Sequence, residues 1–230
     1  MNKYKSLLFL FIVSVITQNI SFYATNMEPF TFILGFSSAA LSELNILDIL
    51  LLLTPVVMII YFFAGTLKDF TNGYGKLLII RNYSKKKFVS KILFKTFIRI
   101  IFLTLIQYII NYLFNYNKFH LNTSLIKPTL IYILTIFCII LFQILIEFYI
   151  DSQYANLILV LYVISSFVVK KFIYKLYCVQ AIFFPSLLFE GFDGLHGYGL
   201  AFLPSLLIMC FCTAALIVLN LKAVEKADIF

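Results

Sequence analysis

Long apolar runs alternate with short polar interruptions along the whole chain. Six runs stand out, near 6–24, 47–66, 91–114, 129–150, 155–171 and 200–221. Leu130–Ile146 and Leu200–Leu219 carry no charge at all, and such stretches approach or reach the ~20 residues that cross a bilayer as a helix. None shows the two-residue alternation of a membrane strand. A backbone in lipid must satisfy its own hydrogen bonds, so the runs are predicted to be helices. The expected fold class is all-α: a polytopic membrane helical bundle of six transmembrane helices, forming a single transmembrane domain over 1–230. The fifth run is short and is closed by Lys170 and Lys171. Lys3 and Lys5 ahead of Ser6–Ile16 imitate a secretory signal. Phe22-Tyr23-Ala24, however, supplies one of the two small residues that cleavage wants, so the first run reads as an uncleaved span.

Composition sharpens this picture. Of 230 residues, 63% are hydrophobic and 12% charged, against about 45–50% and about 25% in ordinary soluble domains. A soluble enzyme is excluded. The 18 Lys+Arg outnumber the 10 Asp+Glu. With the N-terminus inside, thirteen of those bases fall on the inner side and five on the outer. The positive-inside rule then puts both termini in the cytoplasm and makes the basic excess a matter of orientation and of contact with membrane lipid. No nucleic acid partner is expected, because no aromatic-basic groove or zinc-finger spacing accompanies the charge. Two Arg against sixteen Lys point to an AT-rich bacterial source. Cys138, Cys210 and Cys212 lie within runs and only Cys178 lies near a surface, which gives neither a disulfide framework nor a metal site.

Three connections break the pattern. Asn26–Ile46 is a long outer loop with an apolar centre. The outer loop 172–199 holds Ala181-Ile182-Phe183-Phe184-Pro185 and Leu187-Leu188-Phe189, followed by four glycines between Gly191 and Gly199. Apolar residues in a water-facing loop predict a re-entrant or surface-lying segment before the last helix. The cytoplasmic loop 67–90 is the most informative. Phe70, Tyr74, Leu77 and Arg81 fall at helical spacing, so a short helix would present one apolar stripe ending in a charge. Tyr83 follows, and Ser84 sits where an N-cap belongs for the next helix. Lys85, Lys86 and Lys87 would then occupy a first turn where the macrodipole disfavours cations. That placement suggests an anionic partner, either lipid headgroups or an acidic protein surface. Topogenic lysines at a lipid interface are the plainer reading.

The stretch Gly75-Lys76-Leu77-Leu78-Ile79-Ile80-Arg81-Asn82-Tyr83-Ser84-Lys85-Lys86-Lys87-Phe88-Val89-Ser90-Lys91-Ile92-Leu93 resembles the type-2 ABC exporter permeases. In that family a leucine-rich run, a short Ser-containing turn and a helix entering the third span form a cytoplasmic coupling helix. The six-span layout, the inside termini and the apolar outer segment fit the same family. Its usual acid before the leucine run is replaced here by Asp69, displaced toward the second span. The resemblance implies that Phe70, Tyr74, Leu77, Arg81, Tyr83, Ser84, Lys85, Lys86 and Lys87 form an ATPase-coupling loop. It also implies cytoplasmic ATPase subunits as partners, with ATP and magnesium bound there. No cofactor is expected on this chain, which lacks a Gly-x-x-x-x-Gly-Lys-Ser/Thr loop. It is not expected to be an enzyme by itself.

Polar residues inside the runs are the other candidates. Gln143, Glu147 and Asp151 follow at four-residue steps and are expected on one face of the fourth span, while the third carries Lys95, Arg99, Gln107 and Asn111. Ionisable groups at such depth are costly and usually paired, so Arg99 and Glu147 are expected to form an ion pair across two antiparallel helices. A substrate or proton site is the sharper alternative. Gln18, Asn19, Ser165 and Ser166 read as interhelical hydrogen bonds, and Pro55 and Pro204 as kinks. His120 and His196 have no ligand spacing. The expected function is therefore a permease working with a second permease copy or a related chain. Its apolar walls suit an amphipathic peptide or lipid-like substrate, and resemblance alone adds bacteriocin-type peptide export or immunity. A six-span substrate-capture subunit of an importer, a membrane enzyme and a non-transporting immunity protein stay open as alternatives.

Overall fold

The computed structural model describes residues 3–24, 46–66, 84–114, 116, 126–172, 182–189 and 202–226. They form α1 (Lys3–Ala24), α2 (Ile46–Phe63), α3 (Lys85–Phe114), α4 (Ile126–Glu147), α5 (Ser152–Phe172) and α6 (Phe202–Lys226). A 3-10 segment, Phe184–Phe189, precedes α6. There is no strand among the described residues.

Helix limits follow local chemistry more closely than hydropathy. The third helix starts at Lys85, ahead of its apolar run, because lysine is a good helix former and Ser84 caps it. The Ser84 hydroxyl accepts from the Lys87 amide at 3.4 Å, and the Ser84 carbonyl accepts from Phe88 at 3.1 Å. At the other end of the range, α4 stops at Glu147. The Tyr149 and Ile150 amides donate to Ile146 O at 2.9 and 3.0 Å, closing a turn, and Asp151 then opens α5 by accepting from Ala155 at 2.9 Å. Pro55 lies inside α2. Pro204, expected to kink a span, instead sits in the first turn of α6, where its missing N–H costs no helical bond.

Side-chain contacts fix how the helices run. Tyr4 at the start of α1 meets Phe62 at the end of α2, with ring centroids 5.8 Å apart, and Gln18 Nε2 donates to Leu52 O at 3.1 Å. These two helices are antiparallel. Phe97 meets Phe137 at 5.0 Å, and the Tyr132 hydroxyl donates to Gln107 Oε1 at 3.0 Å, so α3 and α4 are antiparallel too. By contrast α4 and α6 run parallel, joined by Cys138 with Thr213 at 3.1 Å and by Asn220 Nδ2 to Leu141 O at 3.0 Å. The common partner is α4, which packs on α2, α3, α5, α6 and the 3-10 segment. Ile131, Ile136, Ile139, Ile140 and Leu141 are almost fully enclosed around it.

The 3-10 segment is seated against α4 and α5. Phe184, Leu187 and Leu188 are buried, Tyr162 packs on the rings of Phe183 and Phe184, and its hydroxyl donates to Ile182 O. The apolar segment ahead of α6 thus packs on the bundle through Phe184, Leu187 and Leu188.

Among the described residues, four helices are long and apolar enough to cross a membrane: Tyr4–Phe22, Lys85–Phe114, Ile126–Glu147 and Phe202–Glu225. Large apolar side chains such as Phe94, Phe102, Leu207 and Phe211 point outward. A water-soluble surface does not present such stripes. Exposed tyrosines mark the two ends, with Tyr4, Tyr61, Tyr149 and Tyr154 at one and Tyr112 and Tyr116 at the other, as aromatic belts do. The protein is an all-helical membrane protein. Its packing makes a contrast testable in detergent. Ile140→Ala, at a fully buried site, should lower stability by about 2–5 kcal/mol. Ile109→Ala, on an exposed face, should cost under about 1 kcal/mol. Unfolding titrations of the two variants measure the difference.

Candidate functional site

One end of the bundle gathers the helix ends that flank the 67–83 connection: the last turn of α2, the end of α4, the start of α5, the start of α3 and the end of α6. Lys5, Lys86, Lys87, Lys91 and Lys222 are exposed there, and we call it the basic end.

The last turn of α2 would leave carbonyls bare, since a helix ends with four of them unpaired. Here Ile60 O accepts from Gln143 Nε2 at 3.1 Å, Tyr61 O from the Ala64 amide at 3.2 Å, and Phe63 O from the Thr66 hydroxyl. Gly65 follows the helix with φ 74°, the left-handed conformation that a side chain would penalise. Its N–H turns away from its own helix and donates to Glu147 Oε1 at 2.9 Å. Two elements distant in sequence are thereby joined through a buried hydrogen bond.

Gln143 and Glu147 occupy one face of α4, one turn apart. Gln143 Nε2 lies 2.6 Å from Asn156 Oδ1, 3.1 Å from Ile60 O and 3.4 Å from Glu147 Oε1. Its two hydrogens are therefore shared among three acceptors belonging to α2, α4 and α5. Gln143 is 0% exposed, and Glu147 and Asn156 are each 4% exposed. The carboxylate sits near the C-terminal ends of both α2 and α4, where macrodipoles disfavour an anion. The Gly65 N–H and the Gln143 amide both donate to its Oε1.

The start of α3 is held differently. Lys86 Nζ lies 2.6 Å from Glu225 Oε1 on α6, with the two side chains about half exposed. An exposed pair of this kind contributes roughly 0.2–1 kcal/mol, so it sets position more than stability. It answers in part the sequence-based expectation of an anionic partner for Lys85, Lys86 and Lys87: for Lys86 that partner is in the same chain.

Of the sequence-predicted loop residues, Phe70, Tyr74, Leu77, Arg81 and Tyr83 lie outside the described residues, and so does the short helix expected there. Ser84 and the three lysines form the cap and first turn of α3. Gln143 and Glu147 are together. Asp151 is not with them, because the chain leaves α4 at Glu147, and Asp151 stands exposed at the head of α5, where a carboxylate meets the positive end of a helix. The expected Arg99–Glu147 pair is also replaced. The guanidinium of Arg99 lies 5.6 Å over the Tyr4 ring, a cation–π contact. Register explains it. The Phe97–Phe137 and Gln107–Tyr132 contacts put Arg99 level with about residues 135–140 of α4, roughly 10–18 Å along the axis from Glu147. Gln107 and Asn111 continue the buried stripe of α3, whereas Lys95 is exposed.

Gly65, Thr66, Asn156, Glu225 and Tyr4 were not singled out from sequence. A Gly-Thr pair closing an apolar run is a readable helix stop, and a lone Asn early in the fifth run is a readable packing polar group. Glu225, an acid among Lys222 and Lys226, carries no local signal for its distant partner. Among the described residues no three His, Cys, Asp or Glu side chains gather as metal ligands would. What the arrangement can do is mechanical: it ties the ends of α2 and α3 to α4 and α6.

These features define an all-helical membrane protein with a buried polar cluster where α2, α4 and α5 meet. The chain belongs to the family described as "Protein of unknown function (DUF2705)", which matches residues 6–230. It is similar to "Uncharacterized protein YybK" of Bacillus subtilis (strain 168), 31% identical over 172 residues, covering 71% of this chain and 68% of that relative. No solved structure matches it.

The Gly65–Glu147 link is testable by melting the purified protein in detergent. Glu147→Leu should destabilise by about 1–3 kcal/mol, the cost of leaving the buried Gly65 N–H without an acceptor, and Glu147→Gln by less, since it keeps an acceptor oxygen. Gly65→Ala should cost about 1–2 kcal/mol through its left-handed backbone.

Proposed function

We propose that the chain is the transmembrane permease subunit of an ATP-driven exporter resembling the type-2 ABC class. In this reading six helices cross the membrane with both termini in the cytoplasm, and the basic end faces the cytoplasm. Two permease copies, or this chain and a related one, enclose the pathway. Separate ATPase subunits bind ATP and magnesium and receive the 67–83 connection in a groove. The substrate is an amphipathic peptide or lipid-like molecule, moved outward or kept from harming the cell.

The observation that carries the reading is the way both flanks of that connection are held. On one side Gly65 is bonded to Glu147 of α4. On the other, Ser84 caps α3 and Lys86 is paired with Glu225 of α6. A force applied to a connection between such anchors is delivered to four helices, not lost in slack chain. A coupling loop requires this property, and an ordinary surface loop has no need of it.

The test is co-expression with an ATPase encoded beside the gene, followed by purification in mild detergent. The expected result is a stable complex that falls apart when Tyr74, Leu77 and Arg81 are all replaced by Ala, while the permease itself still elutes as a folded species. A complex indifferent to those changes, or no ATPase bound at all, would remove the reading.

A further inference from the structure

Pro55 lies near the middle of α2, and the helix continues through it without a break. A proline inside a helix gives up one bond. Its nitrogen has no hydrogen for Leu51 O, four residues back, and its ring crowds that carbonyl. Away from water such a proline is tolerated where a neighbouring helix supplies a donor to the opened turn. Here the donor comes from α1. Gln18 Nε2 bonds Leu52 O, next to the freed carbonyl, at 3.1 Å, and Gln18, Leu52 and Pro55 are all buried. Ser14, Thr17 and Asn19 instead bond carbonyls one turn back in their own helix.

Two causes of helix bending, a proline and a side chain inserted into the carbonyl ladder, therefore coincide within one turn. Polar contacts also tie the two halves of α2 to different neighbours. The half before Pro55 is bonded to α1 through Leu52. The half after it is bonded to α4, through Ile60 O and Gln143 and, just past its end, through Gly65 and Glu147. This second half also meets α1 where Tyr4 packs on Phe62. That contact is between rings and tolerates sliding, whereas a hydrogen bond is directional.

We propose that Leu52–Pro55 is a hinge in α2 and that Gln18 is its latch. With the bond made, the two halves of α2 move as one. With it lost, the half from Pro55 to Phe63 pivots with α4 while the half before it stays on α1. The device depends on no transport role.

Two substitutions test this in the full-length protein in detergent. Gln18→Met keeps the length of the side chain and removes the donor. Pro55→Ala restores an N–H for Leu51 O and draws Leu52 O back into the ladder. Pulsed electron spin resonance between genetically encoded labels at the exposed positions Ile20 and Tyr61 reads the hinge as the width of the distance distribution. Gln18→Met should broaden it, and adding Pro55→Ala should return it to the wild-type width. In unfolding titrations Gln18→Met should raise the unfolding constant about two- to tenfold, the worth of one hydrogen bond, and should change it little in the Pro55→Ala background. An unbroadened distribution in Gln18→Met would overturn the hinge. So would broadening or destabilisation that persists undiminished in the Pro55→Ala background, since that marks an ordinary interhelical bond. If Gln18→Met alone does not fold, recovery of helical circular dichroism in the double variant supports the latch, and no recovery overturns it.

Discussion

A helix that ends inside a membrane protein must hand its last carbonyls to some donor, because no water is there to take them. The end of α2 shows how much depends on meeting that condition. Its donors come from the next residues of the chain and from α4: the Ala64 amide, the Thr66 hydroxyl and the Gln143 amide. Ending α2 is thus a tertiary event. It requires α4 to be in place, and α4 in turn packs on most of the other elements. The same helix supplies Leu141 O to Asn220 and Tyr132 to Gln107, so polar pairing and apolar packing converge on one element.

The two anchors beside the 67–83 connection differ in kind. Gly65 to Glu147 is buried and short, and a buried donor or acceptor left alone costs about 1–3 kcal/mol, so this joint is held closed. Lys86 to Glu225 is half in solvent and weak. An element held hard at one flank and softly at the other moves more readily at the soft one. In the transport reading, α3 would respond first and α2 would follow with α4.

Much of this was legible in the sequence, and the gaps have a physical pattern. Each of the six apolar runs is helical, because helicity in lipid follows from apolar composition almost without regard to local propensity. The limits were less legible. The second run was extended to 66 although α2 stops at Phe63, and the fourth to 150 although α4 stops at Glu147. In both places apolar residues continue past the helix, so hydropathy sees no boundary, while hydrogen bonding makes one. The same cause moved Asp151 off the Gln143–Glu147 face. Depth was misjudged at Arg99, because spacing within one helix says nothing about the register between two. Gln143 and Glu147 were found because a Gln and a Glu in an apolar run are conspicuous. Gly65 and Asn156 were passed over because each is ordinary until its partner is known.

The turn between α4 and α5 has a bearing on the entropy of joining the two helices. Only residues 148–151 separate the two helices, and Gln143 reaches across to Asn156. Asn156, in the second turn of α5, is buried, and a buried amide left without a partner costs about 1–3 kcal/mol. With so few residues between the helices, closing the Gln143–Asn156 contact costs little loop entropy, so the polar group of α5 is answered by its nearest neighbour along the chain.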